Sequence, residues 1–119
     1  MNSFQKNYSL DTRKEESTRI MNKYEGKIPI IVNRGYKTEI ADIGKKKFLV
    51  PADLTISQFT SVIRKRIKLD AAQAMFIFIK SDNKEILPLQ SAIIESVYNT
   101  YKNDDGFLYI TYAGENVFG

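Results

Sequence analysis

The fold of this chain is decided by one stretch, residues 46 to 67, which reads KKFLVPADLTISQFTSVIRKRI. Its first five residues include aromatic and β-branched side chains and predict a strand, which Pro51 closes. Thr55 and Gln58 form a capping-box pair, and the apolar residues that follow recur every three or four positions. The stretch therefore predicts a strand followed directly by an amphipathic helix that runs to about residue 68.

Upstream of this stretch the sequence predicts helices. Ser9 is a suitable N-cap for a helix that continues to about Tyr24 and ends at Gly26. Phe4 and Tyr8 lie four positions apart, which indicates a short additional helix before it. The first 25 residues are therefore expected to form an N-terminal helical extension.

A strand is predicted between this extension and the stretch 46–67. Apolar residues at 28 and 30–32 indicate it, and Pro29 places one end at a sheet edge or a bulge. The polar residues 33–45, which include two glycines, indicate a turn region. Two successive strands joined in this way predict a hairpin.

Downstream of the stretch the pattern continues to alternate between strand and helix. The unbroken apolar run 75–79 predicts a strand buried on both faces. Residues 80–85 are expected to form a polar loop, and residues 90–101 a helix. The turn 104–106 then leads into a last strand over 107–112.

The predicted order of elements defines an α+β fold class. After the N-terminal helices it is strand, strand, helix, strand, helix, strand, which is the order of the ubiquitin-like β-grasp. We expect a four-stranded mixed sheet, with the last strand beside the first and the helix after residue 55 on one face. Neither a repeat nor a long linker divides the chain, so residues 1–119 are expected to form a single domain.

Composition excludes several classes of function. The 119 residues include no cysteine and no histidine. Disulfides, thiol nucleophiles, imidazole bases and Cys/His zinc sites are therefore excluded. We expect no catalytic residues, no metal and no cofactor. No apolar run approaches the ~20 residues that span a bilayer, and the first residues lack a secretory apolar core, so a cytoplasmic protein is expected.

Charge is distributed unevenly along the chain. Residues 1–79 hold 15 Lys/Arg against 8 Asp/Glu, whereas residues 80–119 hold 3 against 6. A basic face on the first two thirds would attract acidic peptides, anionic lipid or nucleic acid. A solvated surface without a partner is the alternative interpretation of the same charges.

Specific residues add a family resemblance to this pattern. The runs 46–55, 62–67, 76–78, 105–109 and 114–119 are similar to the centre and the C-terminal part of the ubiquitin-like autophagy modifiers of the GABARAP type. The N-terminal part also resembles that family, through Arg13, Glu16, Arg19, Ile20, Ile31 and the run 27–29. The resemblance covers essentially the whole chain in order.

Three departures accompany the resemblance. The segment from Lys80 to Ser91 is longer than the usual Pro-containing stretch and differs from it. Lys27 stands where many members carry Arg, which keeps the charge but loses the planar fork. The sequence ends at Gly119, which is either the natural terminus or the product of processing.

The resemblance implies that Gly119 is a lipid-conjugation site at the end of a flexible tail, residues 113–119. Its carboxylate would be adenylated, passed to an enzyme cysteine as a thioester, and delivered to phosphatidylethanolamine. Activating and conjugating enzymes and a deconjugating cysteine protease are the partners that this implies. The modifier would be cytoplasmic, and on autophagosome and vesicle membranes once lipidated.

The resemblance also implies a peptide groove along the strand that begins at Lys46. One pocket would take an aromatic side chain, and a second pocket an aliphatic one. Basic residues would meet acidic residues that flank the motif, carried by receptors and adaptors. The first pocket is lined by Glu16, Ile20, Pro29, Ile31, Lys47, Leu49 and Phe107, the second by Phe48, Val50, Pro51, Leu54, Phe59 and Val62, and the basic residues are Lys27, Lys46, Lys47 and Arg66.

Each groove residue also has a packing interpretation. Leu49, Ile31, Phe59 and Val62 could belong to an ordinary core. Phe48 and Val50 alternate with Leu49, so one of the two sets should face away from the core. An outward aromatic at Phe48 beside the lysines would indicate a docking surface.

Other classes of function stay open at this point. The main alternative is a non-conjugated ubiquitin-like peptide-binding adaptor in vesicle traffic, in which the tail is inert. A basic nucleic-acid-binding domain is a third class, but its interleaved aromatic platforms are not evident, and no nucleic acid is expected as a partner. An enzyme is the weakest interpretation because no catalytic constellation is present.

Overall fold

The computed structural model describes residues 2–114. Along the chain its elements are α1 (Ser3–Asn7), α2 (Leu10–Lys23), β1 (Lys27–Arg34), β2 (Lys47–Pro51), α3 (Ile56–Ile67), β3 (Phe76–Ser81), β4 (Lys84–Ile86), α4 (Ile94–Tyr101) and β5 (Leu108–Ala113). The α+β class and the N-terminal helical extension predicted from the sequence are confirmed. Between residues 2 and 114, no helix is long and apolar enough to cross a membrane.

The strands form one mixed sheet in the order β2-β1-β5-β3-β4. β1 pairs with β2 antiparallel and with β5 parallel, as the β-grasp order predicts. β3 pairs antiparallel with both β5 and β4. β2 and β4 are therefore the two edge strands.

Capping residues set the starts of the longer helices where the sequence predicts them. The Ser9 side chain accepts a hydrogen bond from the N–H of Thr12 at the start of α2. At α3, Thr55 and Gln58 form both bonds of the capping box, at 3.1 and 2.9 Å. These contacts satisfy N–H groups that the first helical turn leaves without a partner.

Two predicted boundaries within residues 80–93 are wrong, and the tail expected from residue 113 cannot include Ala113, which is buried and pairs with Phe76 in the sheet. The expected polar loop 80–85 is a hairpin, since Ser81 pairs with Lys84 and Ile79 with Ile86, so the sheet has five strands and not four. α4 begins at Ile94 and not at residue 90. Residues 90–93 are held by the start of α3 instead, because the Ser57 N–H donates to Gln90 and the Ile56 N–H to Ala92.

The sheet buries its two faces against different helices. On the inner face, α3 and α4 pack against alternate residues of β1, β2, β3 and β5, and this main core includes Ile30, Phe59, Ile77 and Ile110. On the outer face, α2 and α1 cover a smaller cluster of Ile20, Ile31, Phe107 and Tyr109, with Phe4 packed against it. Both faces are therefore occupied close to the edge strand β2.

Candidate functional site

The free edge of β2 is the structural basis of the candidate site. The Val32 N–H donates to the Lys46 carbonyl at 2.7 Å, which fixes the phase of the β1–β2 ladder. Because the backbone groups of successive strand residues point to opposite sides, Lys47 and Leu49 direct their N–H and C=O groups away from β1. These groups can pair with an added strand.

The phase of the β1–β2 ladder also fixes the direction in which the Pro29 nitrogen points. Its nitrogen points towards β5 and not towards β2, and the β1–β5 ladder begins only at Ile30. The missing N–H therefore removes no hydrogen bond from either ladder. The prediction that Pro29 places the strand at a sheet edge or a bulge is wrong, because β1 lies between β2 and β5 and Pro29 pairs with Leu49 in an unbroken register.

The residues predicted for the first pocket converge on the outer face. Ile20, Ile31 and Phe107 are buried and form its floor, whereas Leu49 is 36% exposed at its rim and lies opposite Pro29. Phe4 of α1 covers part of this floor, with its ring centroid 5.1 Å from that of Phe107. α1 thus borders the pocket, a contact that the sequence did not predict.

An ion-pair network closes one side of this pocket. Glu16 on α2 accepts from the Lys47 ammonium of β2 at 2.7 Å and from Arg19 at 2.8 and 3.2 Å. The hydrogen bond from Arg19, followed by that from Lys47, lowers the pKa of Glu16 to about 2. The carboxylate is therefore charged throughout the physiological range and holds Lys47 above the pocket.

The second predicted pocket lies on the inner face, between β2 and α3. Leu54 and Pro51 are half-buried there, and Val62 is 44% exposed. Phe59 and Val50 are buried in the main core beneath them. The structure therefore places the residues predicted for the two pockets on opposite faces of the sheet, on either side of the β2 edge.

The expectation that Phe48 could be the outward aromatic is wrong. Phe48 is 7% exposed and packs edge-to-face on Phe59, with 6.0 Å between ring centroids. The odd-numbered residues Lys47 and Leu49 face outward instead. Alternation in the sequence predicted two sets of side chains but could not say which set faces the larger core.

Cations surround the exposed margin of the Phe48 ring. Lys45 lies with its ammonium 4.9 Å from the ring centroid, and the Arg66 guanidinium lies 5.9 Å from it. Of the other predicted basic residues, Lys46 is exposed beside them, and Lys27 is half-buried at the start of β1. Sequence reasoning missed Lys45, although its place in the run of three lysines was a signal that could have identified it.

A buried polar network behind the first pocket was also missed. The Arg13 guanidinium contacts the Asp105 carboxylate at 2.6 Å, and the Tyr109 hydroxyl donates to the same oxygen. Ser17 Oγ donates to the Asp105 carbonyl at 2.5 Å. Burial, together with the Asp105 contact, raises the pKa of the Tyr109 hydroxyl, so it stays protonated. The network fastens α2 to the turn before β5.

This arrangement suits the binding of an extended peptide. An extended peptide on the β2 edge would send alternate side chains to the two faces, where the two pockets lie. Among residues 2–114, no His, Cys, Asp or Glu side chains are grouped so that they could hold a metal ion. Gly119, the predicted conjugation site, lies outside the described residues.

The fold and this site define a ubiquitin-like protein with an open sheet edge and an N-terminal helical extension. Residues 12–119 match the family model described as "Autophagy protein Atg8 ubiquitin like". The chain therefore belongs to the Atg8 family of ubiquitin-like autophagy proteins, as the resemblance in its sequence indicated.

Individual relatives agree with this assignment. Autophagy-related protein 8d of Arabidopsis thaliana is 49% identical over 119 residues, covering 100% of this chain and 96% of that protein. Autophagy-related protein 8 of Schizosaccharomyces pombe is 53% identical over 116 residues, covering 98% and 93%. The crystal structure of Trypanosoma brucei ATG8 is similar with a TM-score of 0.84 and 35% identity, covering 97% and 96%.

Proposed function

We propose that this protein is a modifier that is conjugated through Gly119 to phosphatidylethanolamine and recruits autophagy receptors and adaptors through short peptide motifs. The observation that carries the recruitment half is the open β2 edge between pockets on opposite faces of the sheet. Membership of the Atg8 family and the terminal glycine support the conjugation half. The modified protein would lie on autophagosomal and vesicle membranes, and the unmodified protein in the cytoplasm.

The geometry of the edge restricts the motif that would bind. A peptide strand pairs with Lys47 and Leu49 through its backbone, which supplies affinity without sequence preference. Because successive side chains of a strand point to opposite faces, an aromatic anchor and an aliphatic anchor must be an odd number of positions apart. Acidic residues beside the anchors would meet Lys45, Lys46 and Arg66.

The chemistry of conjugation would be performed by partner enzymes. The Gly119 carboxylate attacks ATP to form an acyl adenylate and pyrophosphate, and an enzyme thiolate then displaces AMP. The lipid amine displaces that thiolate, so an amide forms with net loss of water. A deconjugating cysteine protease would hydrolyse this amide and release the lipid.

Glycine suits this role because it lacks a Cβ and can enter a narrow enzyme channel. The lipid product would then hold the domain firmly on a bilayer. One acyl chain gives only marginal membrane binding, whereas two chains at ~0.8 kcal/mol per buried methylene anchor a soluble domain.

Intact mass measurement tests the conjugation. The protein is incubated with the family's activating and conjugating enzymes, ATP and liposomes that contain phosphatidylethanolamine. We expect a mass gain of one lipid minus water, which a Gly119→Ala variant does not show. No gain, with an authentic family member conjugated in the same mixture, would favour a non-conjugated adaptor in vesicle traffic.

A further inference from the structure

The chain leaves the sheet at the C-terminal end of β5, and several basic segments lie at this end of the domain. Gly114 follows the last residue of β5, and its N–H donates to Thr38 Oγ1 at 3.0 Å. β1 is parallel to β5, so the loop that follows Arg34 lies at the same end. β3 is antiparallel to β5 and begins with Phe76 opposite Ala113. The segment from the last turn of α3 to β3 therefore reaches this end too.

We call residues 34–46 and 64–75 the exit end. They contain eight Lys or Arg against three Asp or Glu, a net charge of +5, whereas the whole chain carries +4. All of the charge excess of the protein is therefore concentrated where the chain leaves the sheet. Seven of the eight cations are exposed, namely Arg34, Lys37, Lys45, Lys46, Lys65, Arg66 and Lys68.

These cations are not neutralised within the described part of the chain. The ion pairs there join Arg13 to Asp105, Glu16 to Arg19 and Lys47, and Lys80 to Glu85, so none involves the exit end. Arg34 and Arg64 donate to backbone carbonyls, which orients them but leaves their charge. A surface whose cations outnumber its carboxylates by five, and whose cations form no ion pair, attracts an external polyanion.

Distance favours a membrane as that polyanion. Gly119 lies five positions after Gly114, and any five-residue segment reaches at most about 17 Å. The exit end of a lipid-anchored molecule is thus held within about two Debye lengths of the headgroups at physiological salt. The domain measures 39, 29 and 24 Å along its principal axes, so the opposite end lies beyond the reach of the surface field.

We propose that the exit end is an anionic-lipid contact surface that orients the anchored domain on the bilayer. The inference rests on the proposed conjugation through Gly119, because the anchor brings this end to the membrane. In this orientation the exposed cations of the exit end that lie outside the peptide groove, Arg34, Lys37, Lys65 and Lys68, lie against acidic headgroups. The outer part of the β2 edge stays accessible to peptides from the cytosolic side.

A chemical anchor tests this orientation without any conjugating enzyme. The chain contains no cysteine, so a Gly119→Cys variant can be coupled at that position alone to a maleimide lipid. Hydrogen exchange is then measured on vesicles of phosphatidylcholine and on vesicles that also contain phosphatidylserine. We expect slower exchange in segments 34–46 and 64–75 on the anionic vesicles only, and loss of this protection at 0.5 M salt (about a 4–5 Å Debye length).

Two charge-matched triple variants separate the exit end from net charge. Lys37→Gln, Lys65→Gln and Lys68→Gln remove three exposed cations from it without touching residues of the peptide groove. Lys14→Gln, Lys23→Gln and Lys102→Gln remove the same charge from exposed positions near the opposite end, where β1 and β5 begin. Since each juxtamembrane lysine contributes about a factor of five, we expect the unanchored first variant to partition into anionic vesicles about tenfold or more weakly, and the second less than about threefold more weakly.

The results of these experiments distinguish the proposed lipid contact from its alternatives. Protection that persists in the first triple variant, or protection that is equal on neutral vesicles, would overturn it. Protection by a soluble acidic peptide or by RNA, but not by anionic vesicles, would replace the lipid surface with that partner. Failure of Gly119 to be conjugated enzymatically would leave this result unaffected, because the maleimide anchor replaces the enzymes.

Discussion

Arg13 and Asp105 lie 92 positions apart in the sequence and meet in a buried ion pair with 2.6 Å between Nη1 and Oδ2. The pair joins α2 of the N-terminal extension to the turn before β5. The Arg13 Nε also donates to the Tyr8 carbonyl at 3.1 Å, between α1 and α2. Arg13 thus connects α2, the junction between α1 and α2, and the ubiquitin-like core.

Removing one partner of this pair should be costly. Asp105→Asn leaves the Arg13 charge buried without a counter-ion, and we expect the free energy of unfolding to fall by about 3 kcal/mol or more. Urea denaturation measures the loss. Asp104→Asn is the matched control, because Asp104 is the exposed neighbour and should change stability by less than about 0.5 kcal/mol. Equal effects of the two variants would refute the assigned role of the pair.

Gly106 is required by both its backbone angle and its surroundings. Its φ is +87°, and a Cβ at this position would collide with Ser17 Oγ. We expect Gly106→Ala to lower stability by about 2 kcal/mol or more. Gly44→Ala is the control, since Gly44 has φ +81° but open space around it, and it should cost only about 1 kcal/mol. Thermal unfolding of both variants distinguishes steric overlap from backbone strain, and a Gly106 loss no larger than that of Gly44 would rule out the overlap.

The lowered pKa of Glu16 predicts a dependence of stability on pH. Its pKa falls from 4.5 to about 2 on folding, so the stabilisation is complete above about pH 4.5 and is lost as the pH falls towards 2. Because Arg19 and Lys47 are about half exposed, the contribution is on the order of 1 kcal/mol or less.

Glu16→Gln should remove this contribution. Urea midpoints measured at pH 6, 4 and 3 should then fall less steeply with acid than those of the unmodified protein. Glu15→Gln, a change at an exposed neighbour, provides the comparison and should keep the original slope. An unchanged slope in Glu16→Gln would show that the ion pair contributes nothing to folding.

Exposed rim residues should control peptide affinity without affecting stability. Leu49→Ala alters the outer-face pocket and Val62→Ala the inner-face pocket, and each should weaken binding of a two-anchor peptide by about 1–2 kcal/mol, or 5- to 30-fold. Calorimetry with a peptide whose anchors are an odd number of positions apart provides the measurement. Leu87→Ala, at a leucine that is 57% exposed directly after the opposite edge strand β4, should leave the Kd unchanged.

Changing the anchor spacing tests the strand-addition geometry directly. A peptide with one residue inserted between its anchors places both side chains on the same face, and it should lose most of its affinity. Undiminished binding of the inserted peptide would exclude pairing with the β2 edge.

Phe48→Ala should act in a different way from Leu49→Ala. Phe48 is buried against Phe59, so truncation creates a cavity and should cost about 3–4 kcal/mol of stability. A loss of peptide binding in this variant therefore reports on the fold before it reports on the groove. Urea denaturation checks the expectation, and a cost below about 1 kcal/mol would contradict the burial of this ring.

Local rules account for the parts of the fold that the sequence predicted correctly. Ser9, Thr55 and Gln58 make contacts within three residues, so the starts of α2 and α3 could be predicted from spacing alone. The hairpin after β3 and the start of α4 were missed because Lys84 and Glu85 are polar and residues 90–93 are held by α3. The competing tertiary hydrogen bonds have no local signature.

The candidate site also divides into features that the sequence predicted and features that depend on tertiary contacts. Alternation along β2 predicted side chains on two faces, and the resemblance named most of the pocket residues. Which set faces the main core depends on the position of α3, so Leu49 rather than Phe48 could be assigned to the outer face only from the structure. Asp105 was recognised only as a turn residue, because nothing near it in the sequence indicates Arg13 as its partner.

The open edge of β2 also creates a risk of self-association, which its lysines reduce. Molecules anchored on one membrane are confined to two dimensions, so their unpaired edges meet at high local concentration. Such edges could pair with each other to form intermolecular sheets. Pairing of two such edges would bring two sets of three lysines, residues 45–47, into a strand length of about 17 Å. Their mutual repulsion disfavours self-association, while the same charges attract an acidic peptide, so the edge remains available to receptors on a crowded membrane.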